Sequence, residues 1–183
     1  MSRTGRNLAA AVLAAATLVG AIGPATADAG TCARATASPS RAGEAGAVHA
    51  TLCLVNAVRR NHGLRVLRLD PRLSSAAREH SRDMVRRHYF AHYTPEGLSP
   101  AQRVRATGYL RPHRHWMVGE ALAWWRGRAA PSSIVSGWMH SPPHREVLLD
   151  PAFRDIGIGV VLGVPDPVRR DGATYTADFG LNR

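Results

Sequence analysis

Lysine is absent from this chain of 183 residues: all 24 basic positions are arginine. Cysteine occurs twice, and no apolar run reaches the roughly 18 residues that a membrane-crossing helix needs. There is no H-E-x-x-H pair, no G-x-S-x-G elbow and no Gly-rich phosphate loop ahead of a helix. These absences argue against a zincin protease, an α/β-hydrolase and a nucleotide-using enzyme. Acidic residues are scarce, 13 against 24 basic, so the formal charge is +11. Such a balance often marks a nucleic-acid binder. Here the arginines are scattered (Arg59, Arg60, Arg65, Arg68, Arg72, Arg78, Arg82, Arg86, Arg87), largely on the polar faces of helices. A solvated surface is the expected meaning, nucleic acid is not the expected partner, and attraction to an anionic cell envelope would be generic and salt-sensitive.

The first 29 residues read as a secretory signal peptide. Arg3 and Arg6 precede an uncharged run from Leu8 to Ile22, and Ala25-Thr26-Ala27 or Ala27-Asp28-Ala29 supplies the cleavage pattern. The two arginines are not adjacent, which argues against a twin-arginine leader, and Ala29-Gly30-Thr31 before Cys32 is not a lipobox. Cleavage near Ala29 would leave about 154 residues, enough for one domain with one core. In an oxidising compartment Cys32 and Cys53 are expected to pair, closing a loop worth about 3 kcal/mol in the chain-entropy treatment. Residues 30–45, rich in Ala, Ser, Gly and Arg, lack periodicity and read as a flexible tether, with the domain proper at 46–183.

From Ala47 the spacing of Val48, Leu52, Val55 and Val58 predicts a helix ending at Gly63. Asp70-Pro71 caps a second helix, with Leu73, Ala77, His80 and Met84 on one face, that ends near His88. Ser99-Pro100 opens a short third helix to about Thr107, closed by Gly108, and residues 109–117 read as irregular. Val118 to Trp125 is apolar except for Glu120. Pro131 starts a fourth helix, which Pro142-Pro143 interrupt. Ile156, Ile158 and Val160 then alternate with Gly157 and Gly159, and Thr174 to Phe179 returns as a second strand, predicting a hairpin. Helices first and strands last predict an α+β fold whose antiparallel sheet is covered by helices.

His92, Glu120 and His144 each stand where one local pattern gives way to another, the usual setting of a polar site on a rigid scaffold. A carboxylate within the run around Glu120 must find donors or be neutralised. Six segments in this order resemble the CAP superfamily (cysteine-rich secretory proteins, antigen 5, pathogenesis-related 1), in its short bacterial SCP-like branch: LVNAVRRNHGLRVLRLDPRLSSAAREHSRDM, YFAHYTPEG, VGEALAW, GWMHSPPHREVLL, FRDIGIGV and YTADFG. The resemblance implies an α-β-α sandwich with a cleft lined by two histidines and two acids. The histidines map to His92 and His144 and one acid to Glu120. The other acid, three residues after a helix tryptophan in animal and plant members, maps from Trp138 to Ser141, and the Asn that often follows the Gly-Glu pair is Ala121.

Two histidines and a carboxylate could hold a labile zinc or other divalent ion, so His92, His144 and Glu120 are the candidate metal ligands as well as the candidate catalytic residues. His140, four residues before His144, and the loop pair His113 and His115 are weaker metal candidates, and His80 reads as a core residue or a support for the cleft. The expected function is a secreted, monomeric module binding an extracellular ligand. Lipid, sterol or envelope glycan are suggested by the family, with a lipid groove expected near Trp116, Trp124 and Trp125. The alternatives are a hydrolase, with His92 or His144 as base and Glu120 as orienting group or acid, and a structural interaction module.

Overall fold

The computed structural model describes residues 32–183, so the expected leader at 1–29 lies outside the described residues. Six helices and four strands follow in chain order. They are α1 (Pro39–Ala42), α2 (Glu44–Asn61), β1 (Arg68–Leu69), α3 (Pro71–Arg87), α4 (Pro100–Ala106), β2 (Trp116–Arg126), α5 (Pro131–His140), α6 (Pro142–Leu149), β3 (Asp155–Leu162) and β4 (Gly172–Asn182). The sheet order is β1-β3-β4-β2. The expected hairpin is β3 against β4, and β2 pairs with β4 antiparallel along its full length. The sheet is not wholly antiparallel, because the two-residue β1 runs parallel to β3.

Helices cover both faces, giving the α-β-α arrangement. Odd residues of β2 and even residues of β3 bury their side chains among α2, α5 and α6, where Leu54, Val58, Trp138, Ile156, Ile158, Tyr175 and Phe179 form the main core. α3 and α4 lie on the opposite face, over a smaller cluster of Leu73, Ala76, Val104, Tyr109 and Leu110. α3 sits very close to the sheet because β3 presents Gly157 and Gly159 to it. A Cβ at either position would fall within 2.0 or 2.3 Å of α3 backbone. α3 is fixed at its start by the Asp70 carboxylate, which accepts from the Arg72 and Leu73 amides, and at its end by His88 in the left-handed region. Ser99 and Gln102 form a reciprocal capping box on α4.

Two sequence expectations change here. The segment read as a tether is folded in its described part: Cys32 and Ala35 are buried, and the Ser132 amide donates to the Ala35 carbonyl. Its small residues let it pack flat, which periodicity does not report. Trp116 and Met117, read as irregular, begin β2, where pairing with Asn182 and Leu181 overrides local pattern. Cys32 and Cys53 are disulfide-bonded, tying this segment to α2. Cys53→Ser is expected to lower stability by about 3 kcal/mol, readable as a lower denaturant midpoint.

Candidate functional site

β2 is an edge strand, and the site forms around its open side. The Arg183 amide donates to the His115 carbonyl, and that of Gly127 to Asp171. With the β2–β4 register, these bonds make the odd residues of β2 the ones hydrogen-bonded to β4. The even residues therefore turn their side chains toward the α3 layer and their N–H and C=O groups away from the sheet. Glu120 is one of them. Its side chain is only 2% exposed.

Three groups converge on that carboxylate. His92, in the loop after α3, places Nδ1 2.7 Å from Oε1, and the Arg103 guanidinium of α4 donates to Oε2. His80 of α3 lies 4.0 Å from Oε2 and donates its Nε2–H to the Ala91 carbonyl, 3.0 Å away, which fixes the backbone beside His92. Arg103 also donates to the His92 carbonyl, so one guanidinium anchors both the acid and the loop. His144 approaches from the other helical layer, in the first turn of α6. Pro142 and Pro143 do not merely break a helix: they start α6, and Ser141 before them holds His144 Nδ1 at 2.9 Å.

The two imidazoles are pushed apart in basicity. The hydrogen bond to Glu120 raises the His92 pKa, whereas burial and the nearby charge of His92 lower that of His144. Burial likewise lowers His80. The folded state holds the His92 proton more tightly than the unfolded chain does. That contribution to stability is complete below the ordinary histidine value and is lost as pH rises through the folded-state value. For His144 and His80 the sign reverses, with stability present above that value and lost as pH falls.

A fourth group was missed by sequence reasoning. Asp178 of β4 is the cross-strand partner of Glu120, at a non-hydrogen-bonded position where side chains come close. It is fully buried, and among the described residues neither of its carboxylate oxygens has a hydrogen-bond partner. Burial first, and the Glu120 charge second, push its pKa well up, so the neutral acid is favoured. A second acid thus lies beside Glu120, on β4 and fully buried. The argument applied to Glu120, a carboxylate inside an apolar run, would have found it in Thr176-Ala177-Asp178-Phe179. Arg103 carried no such signal, being one arginine among many.

The other candidates fall outside the group. His140 Nδ1 bonds back to the Ser136 carbonyl of its own helix, and His113 and His115 are exposed in the loop before β2. Glu120 orients His92 and meets Arg103 with its other oxygen, so the expected metal set of His92, His144 and Glu120 does not fit as three free ligands. Among the described residues no three His, Cys, Asp or Glu side chains are grouped to hold an ion. The three tryptophans do not share a groove either. Trp124 meets Phe90 edge-on, Trp116 lies under Arg105 far along the strand, and Trp125 points to the opposite face.

Known proteins share the sequence pattern and the fold. The chain is 35% identical over 126 residues to the uncharacterized protein YkwD of Bacillus subtilis, and 31% identical over 109 residues to the uncharacterized membrane protein YlbC of that organism. Those stretches cover 69% and 60% of this chain but 44% and 30% of the relatives, so it matches less than half the length of either. Among solved structures, an extracellular SCP-domain protein of Bacillus anthracis superposes with TM-score 0.61 at 26% identity, over 74% of this chain and 40% of that one. An outer surface protein of Borrelia burgdorferi shares the fold, with TM-score 0.60 at 20% identity over 72% of this chain and 90% of its own. No helix among the described residues is long and apolar enough to cross a membrane. Residues 52–168 match the profile of the cysteine-rich secretory protein family, CAP, and the chain belongs to that family.

Proposed function

We propose that this protein is a secreted, ligand-binding CAP module whose cleft receives a polar extracellular ligand between His92 and His144. One observation carries the reading: a buried carboxylate, Glu120, is spent on orienting His92 and anchoring Arg103, which leaves His92 Nε2 free to face the ligand. Buried ionic groups are costly, and here two of them, Glu120 and Arg103, hold one half-exposed imidazole in place. Glu120 and Arg103 offset each other, and Asp178 favours its neutral form, so a protonated His92 gives the cleft a net positive charge. A ligand with an anionic or strongly accepting group suits it better than a lipid tail.

A thermal-shift screen against short peptides, oligosaccharides and phospholipid vesicles tests this reading. A stabilising ligand is expected among the first two classes, with its effect abolished in His92→Ala and His144→Ala, whose own melting temperatures stay within a few degrees of wild type. Stabilisation that survives both substitutions would count against the cleft.

A hydrolytic reading has one supporting observation, the opposed basicities of the two histidines, since such splitting assigns an acid and a base. His144 would be the base and His92 the acid. Ser141 is a poor nucleophile for this scheme, because it meets Nδ1 of His144, and among the described residues no carboxylate orients that ring from its other nitrogen.

A further inference from the structure

The outer edge of β2 is a hydrogen-bonding surface that the fold leaves open. Its even residues direct N–H and C=O groups away from β4, repeating every two residues, about 6.8 Å along the strand. Farther along, the fold covers the edge: Trp138 Nε1 donates to the Leu122 carbonyl, and Phe90 packs on Trp124. Between Trp116 and Glu120 nothing comparable occurs, and the outward main-chain groups of Val118 and Glu120 have no partner among the described residues. Glu120 as a whole residue is 7% exposed while its side chain is 2% exposed, so what it shows to solvent is chiefly main chain. Folded proteins normally cover or interrupt such an edge, and those that bind extended peptides leave it free.

His92 flanks this stretch from the α3 side and His144 from the α6 side. Arg103 lies behind His92, and Arg105 stands over Trp116, 5.4 Å from the ring centre. Among the described residues the carboxylates beside them are Glu120, already paired with Arg103 and His92, and the fully buried Asp178, whose neutral form is favoured. The uncompensated charge along the open edge is positive.

We propose that the ligand is an extended acidic peptide that adds as a fifth strand along Trp116–Glu120, with a carboxylate of the peptide meeting His92. This deepens the cleft reading and rests on it for the role of His92. Backbone pairing supplies the affinity, and the positive flank selects an acidic sequence.

Panning a random 12-residue displayed peptide library on the disulfide-bonded protein tests the proposal, followed by N-methylation of the best binder one amide at a time. Acidic peptides are expected to be enriched. N-methylation should weaken binding tenfold or more at every second position and little at those between. Val118→Pro should weaken binding at least tenfold, because it removes an outward N–H that takes no part in the β2–β4 ladder. No enrichment of acidic peptides, or an N-methylation pattern without period two on the wild-type protein, overturns strand addition even if Val118→Pro fails to fold. A flat pattern with binding still lost in His92→Ala sinks the strand and spares the cleft. An alternating pattern indifferent to His92→Ala supports the strand and sinks the cleft reading.

Discussion

Glu120→Ala is expected to destabilise the protein by about 3–5 kcal/mol, the usual loss when one partner of a buried ion pair is removed and the other stays behind. Arg103 is the partner left behind. Its side chain is 9% exposed, and its other hydrogen bonds go to the His92 and Leu98 carbonyls, neither of which carries a charge to balance it. Chemical denaturation of wild type and variant gives the difference directly. Glu120→Gln separates charge from shape: it can still accept from Arg103, so part of the stability should return, but the buried guanidinium stays unbalanced and the charge that favours the His92 imidazolium is gone. The His92 pKa should fall in that variant while the fold persists. Asp178 should titrate at lower pH in both variants, because the Glu120 charge is one cause of its upward shift.

Gly159→Ala should cost about 3 kcal/mol or more, near the upper end for overpacking. The added methyl would stand 2.3 Å from the Arg78 amide nitrogen and 2.4 Å from the Ala77 carbonyl carbon, and neither backbone atom can turn aside. α3 as a whole must lift. That helix carries His80, whose Nε2–H holds the Ala91 carbonyl beside His92, so the variant should also loosen the cleft. Thermal melting measures the first effect. A drop of the His92 pKa toward the ordinary value measures the second. Gly137→Ala is the control: a Cβ there meets nothing within 4 Å, and exchanging Gly for Ala inside a helix should be neutral or slightly stabilising.

How much of this could be read beforehand varied with the kind of signal. α2 and α3 announced themselves through apolar spacing and the Asp70-Pro71 cap, and the Ile156-to-Val160 alternation gave β3 with its bare face. β2 was harder, since an apolar segment at a sheet edge has no strict alternation to betray it, and Glu120 looked like an exception inside a run rather than one residue of a regular face. The family resemblance implies that Glu120 shares a cleft with His92 and His144, but not which of the two it holds. Arg103, which pairs with the carboxylate from α4, and Asp178, its neighbour on β4, were not legible, because only the placement of α4 and the register of β2 on β4 bring them there. The same register leaves the β2 edge outward-facing, a property of strand order that no local window contains.

In the proposed cleft His92 and His144 face each other, and the charge of His92 lowers the basicity of His144. A proton NMR titration of the two imidazole Cε1–H signals tests it most directly, in wild type and in His92→Ala. His92 should titrate above the ordinary histidine value of 6.5 and His144 below it, and removing His92 should bring His144 back up. Two histidines titrating together near 6.5, with His144 unmoved by the loss of His92, would mean that the rings do not share a site.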